Sequence, residues 1–146
     1  MKRLHLHVSV PDTEQAIPFY NTLFGAAPVK VKPGYAKWLI EDPALNFAIS
    51  SGNGRAGVNH LGIHVDGEEE LAEIRGRLNA ARVSLHDEGE TLCCYARSDK
   101  SWLEDPAGLP WEAYRTMEDV EIYRNTPVGG PRPAATADEA APHCCG

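Results

Sequence analysis

Residues 4–10, LHLHVSV, alternate strictly: Leu4, Leu6, Val8 and Val10 fall on one face, His5, His7 and Ser9 on the other. A period of two predicts a β-strand with an apolar core side and a polar side. Pro11-Asp12 closes it, and Asp12 followed by Gln15 predicts a helix N-cap with its capping-box partner. In the helix that follows, Ala16, Phe19, Tyr20 and Leu23 recur at three-to-four spacing and form the expected buried stripe, ending at Gly25. Pro18, past the first turn, predicts a kink or a later helix start. Short strands are expected around 27–32, 36–41 and 46–50, then a loop over 52–57.

The pattern then restarts. VNHLGIHV at 58–65 is again a strand, with His60, Gly62 and His64 on one face and Leu61, Ile63 and Val65 on the other. Asp66 with Glu69 repeats the capping signature, and the acidic run 68–70 suits a helix N-terminus. Leu71, Ile74 and Leu78 make the apolar stripe. A shift of 55 residues lays His5 on His60, Ala16 on Leu71, Phe19 on Ile74 and Leu23 on Leu78. Glu-Asp-Pro-Ala occurs at 41–44 and again at 104–107, each time before a final strand. Together these predict an α+β chain of tandem βαβββ modules whose sheets curl into a half-barrel cleft. The expected domain is 1–117, with one module over about 1–52 and the other over about 57–117. Residues 118–146, rich in Pro, Gly and Ala, are an expected disordered tail.

Composition narrows the function. With 146 residues, 42% hydrophobic and 24% charged, the chain is long enough for one domain with a real core. A net charge of −7 argues against nucleic acid or anionic membrane as partner. No apolar run reaches membrane-spanning length, and His5, His7 and Ser9 interrupt any signal peptide after Met1-Lys2-Arg3. The expected location is cytoplasmic. The four cysteines form two adjacent pairs, Cys93-Cys94 and Cys144-Cys145, which is no disulfide framework. Adjacent free thiols in a reducing compartment fit soft-metal or metalloid binding, or redox chemistry.

In a half-barrel of two modules, His5 and His60 face each other as equivalents from the two first strands. Glu112 lies on the last strand of the second module, and its counterpart near residues 47–48 offers no ligand. Two imidazoles, one carboxylate and a vacancy match the facial set of non-haem Fe(II) oxygenases, and equally an open catalytic zinc. A single strand histidine is ordinarily a packing residue; the repeat is what lifts His5 and His60 above that. His7 and His64 also face the cleft, as residues that hydrogen-bond a ligand or as alternative ligands. His86, in an acidic stretch, reads as solvated. In a regular strand the Cys93 and Cys94 side chains would point to opposite faces, so joint chelation needs a turn or mobile loop, which polar residues 86–91 with Gly89 would permit. For an isolated pair, two small buried hydrophobes is the ordinary reading.

The tandem βαβββ pattern with His5, His60 and Glu112 resembles the vicinal oxygen chelate superfamily of glyoxalases, extradiol dioxygenases and bleomycin-resistance proteins. Within it, Lys32-Pro33-Gly34-Tyr35-Ala36, Asn59-His60-Leu61-Gly62 and Cys93-Cys94-Tyr95-Ala96 are similar to the carbon–arsenic lyases of bacterial arsenic resistance and to cadmium-inducible proteins. Asp99-Lys100, Trp102, Asp105-Pro106, Gly108, Trp111-Glu112 and Tyr114 continue the likeness, which spans about residues 1–116. It implies an Fe(II)-dependent dioxygenase acting with O₂ on small trivalent organoarsenicals such as methylarsenite or aromatic arsenicals. Zn, Ni, Co or Mn are metals that could replace iron in a purified sample. By that likeness His5, His60 and Glu112 hold the metal, Cys93 and Cys94 hold arsenic as a dithiolate, and arsenite leaves with an oxidised carbon fragment. Arg97 and Lys100 are candidates for favouring the thiolate form. His143-Cys144-Cys145 is either a capture point for arsenicals or cadmium, or an inert end. The modules pair within one chain or swap across a homodimer. The rival readings are a sequestering As(III)/Cd(II) protein and a glyoxalase-like zinc or nickel lyase.

Overall fold

The computed structural model describes residues 1–52, 54–93 and 95–119. Its elements run β1 (Lys2–Ser9), α1 (Thr13–Phe24), β2 (Lys30–Lys32), β3 (Tyr35–Ile40), β4 (Leu45–Ser50), β5 (Gly57–Val65), α2 (Glu68–Ala80), β6 (His86–Cys93), β7 (Ala96–Glu104) and β8 (Pro110–Asp119). This is βαβββ twice, as the repeat predicts. The strands form one eight-stranded sheet in the order β2-β3-β4-β1-β5-β8-β7-β6, which reads the same from either edge under exchange of modules. At its centre β1 and β5 run antiparallel, with Leu6 opposite Leu61. These two are equivalents under the 55-residue shift, so the pseudo-twofold axis passes between them.

Local chemistry sets the helices. Asp12 caps α1 by accepting from the Glu14 and Gln15 amides at 2.8 and 3.2 Å, and Gly25 ends it at φ 63°. The helix starts at Thr13 and is continuous through Pro18, so there is no later start. Its buried face differs from the expected stripe: Ala16, Ile17, Tyr20 and Phe24 pack on the core, whereas Phe19 and Leu23 are exposed. The core-facing stripe includes a β-branched and a second aromatic position that the 55-residue alignment passed over. The cap of α2 also sits one residue later than expected. Glu70, not Glu69, accepts from the Asp66 and Gly67 amides (3.2 and 3.3 Å), while Asp66 pairs with Arg3.

The polarity of β1 and β5 is inverted relative to a simple amphipathic strand. His5, His7, Ser9, His60 and His64 are buried, whereas Leu4 is exposed. Leu6, Val8 and Val10 pack under α1 with Trp38, Phe47 and Ile49, so both faces of the sheet are covered. The polar face is the lining of the cleft. The sheet curls far enough for its edges to meet. Lys30 on the β2 edge donates to the Tyr95 carbonyl at 2.9 Å and ion-pairs with Asp119. The Tyr35 and Tyr95 rings lie 5.8 Å apart.

Residues 86–91, expected as loop, are strand. They pair with β7, with a register shift between Asp87 and Gly89, where Gly89 takes φ 64°. Pairing satisfies the backbone, and a polar, bulged edge strand resists sheet-to-sheet aggregation. Among the described residues, no helix is long and apolar enough to cross a membrane.

Candidate metal centre

The inner face of β1, β5 and β8 brings three donors together. His5 Nε2 and His60 Nε2 are 3.3 Å apart, and Glu112 Oε1 lies 3.3 and 3.5 Å from them. All three side chains are buried. Ligands at about 2.1 Å from one cation, spread over 90–110°, stand about 3.0–3.4 Å from one another. The triangle therefore fits a divalent metal.

Hydrogen bonding fixes which atoms face inward. The His5 Nδ1–H donates to the Asn46 carbonyl at 3.0 Å, and the His60 Nδ1–H donates to Asn59 Oδ1 at 2.7 Å. Each bond leaves an Nε2 lone pair aimed at the centre. Burial, with help from His60 and Lys100 and against the pull of Glu112, pushes the His5 imidazole down to about 3, so it is neutral at ordinary pH. Burial opposes charge on Glu112, but the charges around it, the Lys100 ammonium first among them, outweigh it and hold the carboxyl well below the usual carboxylate range. Oε1 has no hydrogen-bond donor. Three converging acceptors in a dry site repel one another, and a single cation relieves all three contacts.

Gly62 is what admits Glu112. The two are register partners between β5 and β8, and a Cβ on Gly62 would stand 2.6 Å from the Glu112 carbonyl oxygen and 2.7 Å from its Cγ. Only a bare backbone leaves room for the carboxylate to lie across it.

Of the two accessory histidines, one is near and one is not. A ring nitrogen of His7 lies within 4.8 Å of those of His5 and His60, and His7 Nε2 is 2.7 Å from Ser50 Oγ. His64 stacks on Tyr114 at 4.9 Å, with Nε2 3.3 Å from Thr116 Oγ1. Burial, and then Lys37 and Arg3, push it down to about 4. Sequence reasoning named Trp102 and Tyr114 only as part of the family likeness, without a role at the site, and passed over Asn46. Asn46 donates to the Tyr114 hydroxyl at 2.7 Å, and the Trp102 ring lies 5.1 Å from that of His60. Beyond Trp102 opens a cavity of about 390 Å³ that also touches His86, Glu104 and Pro110.

The β6–β7 hairpin carries the first cysteine pair. β6 ends at Cys93, the cross-strand partner of Ala96 on β7. Tyr95 has φ 61°. Cys94, Cys144, Cys145 and the tail lie outside the described residues. Ring contacts link the tip to the donors: Tyr95 to Tyr35 at 5.8 Å, Tyr35 to His7 at 6.5 Å, His7 to His60 at 4.9 Å. Neither basic residue near the thiols is uncommitted. Arg97 pairs with Glu118 at 3.2 Å, and the buried Lys100 ammonium sits 3.4 Å from Glu112 Oε2.

Residues 2–113 match the family described as the Glyoxalase/Bleomycin resistance protein/Dioxygenase superfamily. The trivalent organoarsenical cleaving enzyme of Bacillus sp. (strain MD1) is 40% identical over 161 residues, covering 99% of both chains. The cadmium-induced protein CadI of Mycobacterium tuberculosis (strain ATCC 25618 / H37Rv) is 39% identical over 146 residues, covering 99% of this chain and 93% of CadI. Among solved structures, the 2,3-dioxygenase LapB from Pseudomonas sp. KL28 matches at a TM-score of 0.59 and 21% identity, over 81% of this chain and 42% of LapB. That likeness is one of fold.

Proposed function

The chain belongs to the Glyoxalase/Bleomycin resistance protein/Dioxygenase superfamily, and from that premise we propose that it is an Fe(II)-dependent dioxygenase that cleaves the carbon–arsenic bond of trivalent organoarsenicals. The observation that carries the reading is the convergence of His5 Nε2, His60 Nε2 and Glu112 Oε1 in a dry pocket. Likeness to a relative named for cleaving trivalent organoarsenicals supplies the substrate class. His5, His60 and Glu112 would hold the iron. Bound there, Fe(II) supplies the electron transfer that lets ground-state dioxygen react.

The chain's own residues do the rest. Cys93 and Cys94 take up As(III) as a dithiolate, expelling two waters from the arsenical. Capture at two sulfurs fixes the organic group against the iron face of the cleft and trades a bimolecular encounter for a held geometry. Tyr35, Tyr95 and Trp102 wall the space and exclude water. For methylarsenite the balance CH3As(OH)2 + O2 → As(OH)3 + HCHO closes without a further reductant: the carbon is oxidised and dioxygen reduced.

The test is anaerobic loading with Fe(II), addition of methylarsenite, then O2 and arsenic speciation. Arsenite is expected only when iron and O2 are both present, with Cys94→Ser weakening uptake of methylarsenite. Arsenite release that survives Glu112→Ala would sink the metal assignment. A second reading, sequestration of As(III) or Cd(II) without turnover, is favoured by likeness to a cadmium-induced protein. It predicts retained methylarsenite and no arsenite. A glyoxalase-like lyase predicts activity on glutathione hemithioacetals and indifference to Cys94→Ser.

A further inference from the structure

Lys100 is 1% exposed, the one lysine or arginine among the described residues that is fully buried. Burying an ammonium costs several kcal/mol, roughly, unless it is paired. Its ion-pair partner is Glu112, through Oε2 at 3.4 Å, whereas Oε1 is the oxygen that faces the two imidazoles. The register explains the approach. Lys100 sits opposite Tyr114 on β8, and Glu112 opposite Trp102 on β7, so the two are diagonal neighbours on the cleft face. The Trp102 and Tyr114 rings lie 5.8 and 5.6 Å from the ammonium and hold it from the sides. Its position is therefore set by the sheet as well as by Glu112.

We propose that Lys100 is a positioning residue that occupies Oε2 of Glu112 and so restricts this carboxylate to one metal-facing oxygen. The inference rests on the metal-centre reading above and adds to it a reason the site stays open. A carboxylate with both oxygens free can take two coordination positions; one clamped by an ammonium takes one and leaves the other for substrate or dioxygen. A purely stabilising role is a weaker account, because a buried ion pair contributes little net stability compared with apolar residues of the same size. Holding a cation this near a metal also carries a Coulombic cost that packing alone would not require.

The sign of that cost makes the test sharp. Wild type, Lys100→Met, Lys100→Arg and Glu112→Ala are titrated with Co(II), whose visible absorption weakens as coordination number rises. The same proteins, loaded with Fe(II), are assayed for kcat and KM on methylarsenite. Lys100→Met is expected to bind Co(II) as tightly as wild type or more tightly, with a weaker visible band. Its kcat should fall about 10-fold with KM little changed, as for loss of a ligand's outer partner. Lys100→Arg should recover the wild-type band. If Lys100→Met fails to fold, Lys100→Leu, likewise without a donor for Oε2, carries the same readout. An unchanged band in Lys100→Met, or Co(II) affinity lost in step with activity, overturns the proposal. Co(II) binding that ignores Glu112→Ala overturns the underlying metal-centre reading instead.

Discussion

The two modules solve the same packing problem with opposite choices. The 55-residue shift lays His7 on Gly62, and the register places Ala48 beside His7 and Glu112 beside Gly62. Module 1 thus sets a large ring next to a small residue, and module 2 a bare backbone next to a large carboxylate. Each pair fills a comparable volume of cleft. Only the second yields a carboxylate at the candidate metal centre, so one module contributes one candidate donor and the other two. A duplicated fold becomes an asymmetric site by exchanging which of two neighbouring strands carries the bulk.

The cores differ in the same direction. Module 1 packs Trp38, Phe47 and Ile49 against Tyr20 and Phe24, and the Trp38 indole N–H reaches Asn21 Oδ1 and the Ala26 carbonyl at 3.0 and 3.2 Å. Module 2 relies on Val65, Leu71, Ile74 and Ala113. This contrast separates stability from chemistry. Trp38→Ala should lower unfolding free energy by about 3–5 kcal/mol while the folded fraction keeps its metal affinity. His60→Gln, which leaves the buried Lys100–Glu112 pair intact, should do the reverse, leaving thermal unfolding of the metal-free protein nearly unchanged and lowering metal affinity about 100-fold or more. Denaturant melts beside metal titrations check both. A Trp38→Ala protein that loses metal binding in its folded state would break the division.

A smaller effect is expected at the exchange itself. Gly62→Ala drives a methyl into the Glu112 backbone and Cγ, so β8 or the carboxylate must shift, at a cost of about 1–3 kcal/mol. Metal affinity should fall with it. Ala48→Gly at the equivalent place in module 1 removes one methyl beside His7 and should leave metal affinity intact. Equal losses of affinity from the two substitutions would mean that the exchange of bulk does not set the site.

How much of this was legible depended on whether the signal was local. The alternation around His5 and His60, the Asp12 cap, the Gly25 stop and the repeated Glu-Asp-Pro-Ala are short-range patterns, and they located the duplication and the facing imidazoles. The buried face of α1 was misread because Phe19 and Leu23 also satisfy three-to-four spacing with Ala16 and Tyr20, yet they lie on the side turned away from the sheet. Strand β6 was hidden because its residues are polar; it is held by β7 across a register shift that no periodicity encodes. Lys100 and Arg97 looked alike in sequence. Only the diagonal pairing across β7 and β8 distinguishes the buried cation beside Glu112 from the half-exposed one beside Glu118.

The finest contrast lies in what orients the two imidazoles. His5 is held by a backbone carbonyl, that of Asn46, and His60 by a side-chain amide, that of Asn59. The Asn59 amide is itself fixed, its Nδ2 donating to Ser9 Oγ at 3.2 Å. Module 1's orienter therefore survives any substitution that leaves β4 in place, and module 2's does not. Asn59→Ala should free the His60 ring to rotate or change tautomer and lower metal affinity about 10-fold. Asn46→Ala keeps the carbonyl that holds His5. It loses the bond to the Tyr114 hydroxyl, so its affinity should stay within about 3-fold of wild type. Isothermal titration with Co(II) or Zn(II) measures both. Matching losses in the two variants would show that Asn46 acts through its side chain after all, and that the modules orient their histidines alike.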